Sequence, residues 1–182
     1  GAFFFVYFAS RIGGTDRFFR TAARESGYRF DDPAFVRAGD LVRTLVDARV
    51  FSPGFNGLDA DPARAHFFSG RAAMHLMGTW LVARAAQDAP EIMPHLRCVR
   101  FPAVAGGPGD PRDIVGGVNC GFAVSARCAH PELALDLLRF LTAAEVGAAW
   151  CDIGRIPALR LDPAVLDRLP APTRDALVLL QE

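Results

Sequence analysis

The side chains in this sequence that could do chemistry stand apart from one another. The histidines are His66, His75, His95 and His130, and the cysteines are Cys98, Cys120, Cys128 and Cys151. No Cys-x-x-Cys pair occurs and no histidine lies at ligand spacing from a cysteine, so a zinc site is not expected. Four buried free thiols are preferred over disulfides, because free cysteine is among the most buried residue types. Asp32, Asp61 and Asp162 each precede proline, which suits helix starts better than acid–base work. His130 also precedes a proline, and His75 lies within an apolar run, where a hydrogen-bonded core histidine is commoner than a general base. The chain has no G-x-S-x-G elbow, H-E-x-x-H pair, P-loop or G-x-G-x-x-G loop. Gly106-Gly107-Pro108-Gly109 reads as a surface turn, not a phosphate cradle. With no base set beside a nucleophile, the expectation is a non-enzyme with no catalytic residue, metal or cofactor.

Trp80 stands out. It follows an apolar run through Gly78-Thr79, at a strand-to-helix turn of the kind where α/β proteins place ligand contacts. A flat apolar ring there can stack on the C–H face of a sugar, but a core tryptophan fits the sequence alone equally well. Gly116-Gly117 raises a similar choice between close backbone approach and a hinge or bulge.

The elements that position these residues follow from local signals. The run Phe3 to Ala9 predicts a helix stopped by Gly13-Gly14. Asp32-Pro33 opens an amphipathic helix with Phe35, Ala38, Leu41, Val42, Leu45 and Val46 inward, ending near Val50. Asp61-Pro62 opens a short helix through Phe68. Residues 71–77, apolar on both faces apart from His75, predict a buried central strand, with further strands over 96–104 and 115–126. Trp80 begins the next helix, to Ala89. Pro131 starts another, with Leu133, Leu137, Leu138 and Leu141 inward. The capping-box spacing from Thr142 to Glu145 predicts a helix directly after it, stopped by Gly154. Asp162-Pro163 and Thr173 open the last two. Helices mixed with strands make the expected class α/β.

Composition sets outer limits. The chain has 182 residues, enough for one large domain or two small ones, and 51% of them are hydrophobic, so it is not a disordered chain. Twenty basic and twenty acidic residues give a formal net charge of zero. All the basic residues are arginine and they are dispersed, which argues against a nucleic-acid surface or an anionic membrane surface. The longest apolar run falls well short of the ~20 residues a membrane span needs, and it lacks the layout of a signal peptide.

The segment Phe68-Ser69-Gly70-Arg71-Ala72-Ala73-Met74-His75-Leu76-Met77-Gly78-Thr79-Trp80 resembles the F-x-x-G-[KR]-A-A-M-x-x-x-G-x-W signature of family 1 extracellular solute-binding proteins. These are sugar-binding receptors of ABC importers, similar to the maltose-binding protein. Phe8 to Gly14, Phe101-Pro102-Ala103-Val104 through Gly116-Gly117, Gly121 to Ser125 with Pro131-Glu132-Leu133-Ala134, and Ile156-Pro157-Ala158 fit other stretches of that family in order.

The resemblance implies a periplasmic-binding-protein-like (type II) α/β fold of two lobes about a cleft. Residues 1–112 would belong to the C-lobe, 113–160 to a hinge strand and returning N-lobe helices, and 161–182 to the start of C-terminal helices. On this reading the chain is a fragment, with the N-terminal portion and the last helices missing. Carried over residue by residue, Trp80 stacks on a sugar ring and Gly78 and Thr79 line the turn beside it. Gly116, Gly117 and Asn119 edge the cleft, and Phe3, Phe4, Phe55 and Asn56 are further ligand contacts. The implied partners are a mono- or oligosaccharide and the transmembrane subunits of an ABC permease, with no nucleic acid. The membrane is met only through the permease or a lipid anchor, and the implied location is extracytoplasmic. A same-fold receptor for a polyamine or peptide, and a regulatory domain reusing the lobe, are the alternatives. With only Tyr7 and Tyr28, a ferric ligand is disfavoured.

Overall fold

A computed structural model describes residues 2–116, 121–157 and 161–181. The chain forms two compact units, Gly1–Met77 with Arg100–Val115, and Gly78–Val99 with Gly116–Glu182. It therefore passes between units three times, at 77–78, 99–100 and 115–116.

The first unit is organised by α1 (Ala2–Gly13), α2 (Thr15–Ala22) and α3 (Pro33–Asp47), followed by a 3-10 turn (Phe55–Gly57) and α4 (Ala60–Phe68). Gly14, at φ +83°, ends α1 in a conformation glycine adopts without strain. Phe5, Phe8, Ala9 and Ile12 recur at helical spacing and pack with Phe18 against Phe35 and Ala38 of α3. Rings continue that core, with Phe30 and Phe35 centroids 5.0 Å apart and Phe18 and Phe35 6.1 Å apart. Burying a phenylalanine of this kind contributes about 1.5–3 kcal/mol. Asp32 caps α3 by accepting from the Ala34 N–H at 2.9 Å, and its other carboxylate oxygen pairs with Arg17.

The second unit contains α5 (Trp80–Asp88), a 3-10 turn (Pro90–His95), α6 (Pro131–Leu141), α7 (Ala144–Asp152), α8 (Pro163–Leu166) and α9 (Ala171–Gln181). Its core gathers Cys151, Leu161, Leu169 and Leu177, with Ile156, Val165 and Leu166 against them. Gly154 turns the chain after α7 at φ +75°, and a Cβ there would lie 2.9 Å from the Ala83 Cα. Only a residue without a side chain brings the two backbones that close. Asp175 of α9 accepts from Arg97 through two bonds, of 2.6 and 2.9 Å, and from the Cys98 N–H at 3.2 Å.

The expected α/β class and type II binding-protein fold are overturned, because among the described residues there is no strand. The described parts of the three segments predicted as strands are turns and irregular chain. Met74, in the supposedly central segment, is 81% exposed, and Val99 and Phe122 of the other two are also open. The physical reason is that apolar runs and alternation express a preference, whereas a strand exists only through a ladder with another segment. Among the described residues 71–77 are in no ladder. Two further corrections concern α6 and α7. Leu133 and Leu137 point outward, with Leu138 only partly covered, and the residue preceding α7 is Ala143, not Thr142. The Thr142 hydroxyl instead donates back to the Leu138 carbonyl at 2.8 Å. α9 begins at Ala171, two residues before the expected Thr173 cap, and Thr173 is buried. No helix among the described residues is long and apolar enough to cross a membrane.

Candidate functional site

Trp80 is the first residue of α5. Thr79 before it has helical dihedrals and its side chain makes no capping bond. The first turn closes through the main chain, the Leu81 N–H donating to the Gly78 carbonyl at 3.0 Å and the Val82 N–H to the Thr79 carbonyl at 3.1 Å. The indole folds back over Gly78. A Cβ at residue 78 would lie 2.0 Å from the ring Cζ3 and 2.3 Å from Cη2, so the ring's position requires glycine there. Main chain thus backs the ring, while 43% of Trp80 remains exposed. This arrangement offers a flat apolar surface with a hydroxyl beside it that can donate and accept.

Gly116 is exposed, and a Cβ there would meet nothing within 4 Å. Among the described residues, no close approach demands glycine at that position. Gly117 and Asn119 lie outside the described residues.

The other expected contacts fall in the first unit. Phe4 packs edge-on against Phe51, centroids 5.2 Å apart, and against Phe101 at 6.0 Å. Phe51 packs in turn on Phe55 at 4.9 Å, so Phe4 and Phe55 meet through a residue that the sequence did not single out. Tyr7 stacks on Phe101 at 4.6 Å with planes 10° apart, and Phe8 meets the same ring edge-on. Phe4 is therefore engaged in packing. Phe3 and Asn56 are exposed. Trp80, Gly78, Thr79 and Gly116 belong to one unit and Phe3, Phe4, Phe55 and Asn56 to the other.

The His75 ring stacks on Phe67 at 5.7 Å, and burial, then the charge of Arg64, pushes its pKa below the usual histidine value. Its Nε2 is buried without a hydrogen-bond partner among the described residues, so the hydrogen-bonded histidine expected there is instead held by ring packing. Cys98, Cys128 and Cys151 are free, and burial raises the thiol pKa of Cys98 and Cys151. A raised pKa disfavours the nucleophilic thiolate. A groove of about 170 Å³ is lined by Ala148, Asp152, Val165, Arg168 and Leu169, none of them an expected contact.

Phe101 and Arg11 stand in stretches that resemble the family, but the sequence assigned no role to them or to Phe51. Phe51 could have been found from its four-residue spacing to Phe55. Arg11, a charge at the end of an apolar helix, is a signal in itself.

The sequence model of a family described as bacterial extracellular solute-binding protein matches residues 4–161, a span that includes every expected contact except Phe3. No curated protein matches the chain.

Proposed function

Because this chain belongs to the bacterial extracellular solute-binding protein family, we propose that it captures a mono- or oligosaccharide for an ABC importer, with Trp80 as the stacking platform. Proteins of this family act outside the cytoplasm and take up a small solute without making or breaking bonds. The observation that carries the sugar reading is the indole held over Gly78, partly open to solvent, beside a Thr79 hydroxyl that caps nothing. Aliphatic sugar faces bind such rings through area and C–H contact, while hydroxyls seek donors and acceptors. Gly116, Gly117 and Asn119 remain part of the proposed contact set, as do Phe3, Phe4, Phe55 and Asn56. The three chain passages are the proposed hinge, and the permease subunits the proposed partner of the loaded form.

Calorimetric titration with maltose, maltotriose, spermidine and a tripeptide tests this reading. Removing the ring forfeits on the order of 1–3 kcal/mol of contact. Trp80→Ala is therefore expected to weaken binding of the preferred saccharide about tenfold or more. Saccharide binding unchanged in Trp80→Ala overturns the platform. Binding of spermidine or the tripeptide, with no response to either sugar, overturns the saccharide class.

A further inference from the structure

Arg11 is only 1% exposed, yet among the described residues it forms no ion pair. Its guanidinium is held by main-chain carbonyls. Nε donates to Pro102 at 3.3 Å, and Nη2 is shared among Phe101 at 3.3 Å, Pro111 at 2.9 Å and Asp113 at 2.8 Å. Tyr7 packs under it, ring centroid 5.5 Å from Cζ, and Nη1 has no hydrogen-bond partner among the described residues. Burial opposes its charge, which Asp113 and Asp110 favour from beyond ion-pair distance, and a buried charge without a directly bonded carboxylate is a poor way to gain stability. What a guanidinium does uniquely is present several donors in one rigid plane to acceptors from separate stretches of chain.

Those stretches have a particular place. Phe101 and Pro102 directly follow the passage at 99–100, and Pro111 and Asp113 directly precede the one at 115–116. Pro102, Pro108 and Pro111 lack N–H groups, so this segment cannot hold itself by a regular ladder. It is fixed from the other side as well. The Gly109 N–H donates to the Arg11 carbonyl at 3.0 Å, and a Cβ at residue 109 would lie 2.1 Å from the Ser10 carbonyl oxygen. The Thr15 hydroxyl donates to the Asp113 carboxylate at 2.5 Å. In the second unit, Cys98 is tied by its N–H to Asp175 and by its thiol to the Pro172 carbonyl at 3.4 Å.

We propose that Arg11 is a positioning residue that clasps both roots of the segment 101–113 to the helices of the first unit, so that at these two of the three passages any bending is confined to Val99–Arg100 and to Ile114–Gly116. Between the tether at Cys98 and the clasp at Phe101 only two residues remain, and Val99 is 80% exposed. This assignment rests on the packing of the first unit and not on the identity of the solute.

Amide hydrogen exchange on the full chain, without added solute, tests it. Arg11→Met keeps the apolar stem and removes the donors. Exchange across 101–113, with the Gly109 amide as reporter, is expected to speed up at least tenfold while α1 and α3 change less than twofold. Unchanged exchange over 101–113 overturns the clasp. An equal rise in α1 and α3 also overturns it, since Arg11 then only supports the unit as a whole. Gly109→Ala lifts the same segment from the other side and leaves Arg11 in place. If Arg11→Met does not fold, the same localised rise is required of Gly109→Ala, and its absence rejects the assignment.

Discussion

A methyl group at residue 78 makes a sharp probe of the Trp80 platform. In Gly78→Ala the new carbon lands within 2.5 Å of three indole carbons. These are the far atoms of a side chain that can rotate, so the ring swings off the turn and the backbone stays. The expected outcome in a Trp150→Phe background is a red-shifted emission from Trp80, a melting temperature within a few degrees of the parent, and saccharide affinity lowered as far as in Trp80→Ala. Unchanged emission means the ring does not lie on Gly78. The tryptophan itself was legible in the sequence because its residue type carries the chemistry. Its perch was not, because that depends on a side-chain rotation over a glycine two residues back. Phe4 shows another limit: its type suggested a ligand contact, but its ring packing on Phe51 and Phe101, both remote in sequence, was not legible.

Helix α9 is held at Asp175 by a forked bond from Arg97, and that bond, ahead of the Cys98 N–H, keeps the carboxyl pKa below the ordinary aspartate value. The folded protein therefore binds this proton less readily than the unfolded chain. The stabilisation is complete above the unfolded pKa, near 3.9, and is lost as pH falls through the lower folded value. Arg97 is largely exposed, so solvent screening keeps the contribution of the pair small. Thermal melts from pH 3 to 7 should show Asp175→Asn less stable at neutral pH, with a shallower decline below pH 4. Parallel curves for the two proteins would show that the pair has no folded-state role. Elements whose signals are local were legible: Asp32-Pro33 opens α3 and Gly154 ends the chain's run through α7. The strand expectation failed because 71–77 carries a strand's composition without a pairing segment among the described residues. The outward Leu133 and Leu137 show that a helix's apolar stripe reveals a preferred face but not whether a neighbour covers it.

For the molecule as a whole, twenty positive and twenty negative side chains cancel at neutral pH, and the isoelectric point is about 7.1. Copies then have no net repulsion, while Leu133, Leu137 and Phe140 lie open along α6. Light scattering across pH should find solubility lowest near pH 7 and recovering by about pH 4, where carboxylates begin to take up protons while every arginine stays charged, and a flat profile would remove charge balance as the cause. The discontinuous first unit also sets a timetable. Its helices are complete by residue 68, but the carbonyls that Arg11 needs lie 90 to 102 residues further along the chain than Arg11 itself. At synthesis rates of about 5–20 residues per second, a nascent chain that has reached Met77 waits on the order of seconds before Asp113 is made. During that interval a guanidinium destined for burial stays in water at the end of an apolar helix, and the first unit cannot close until part of the second has been translated.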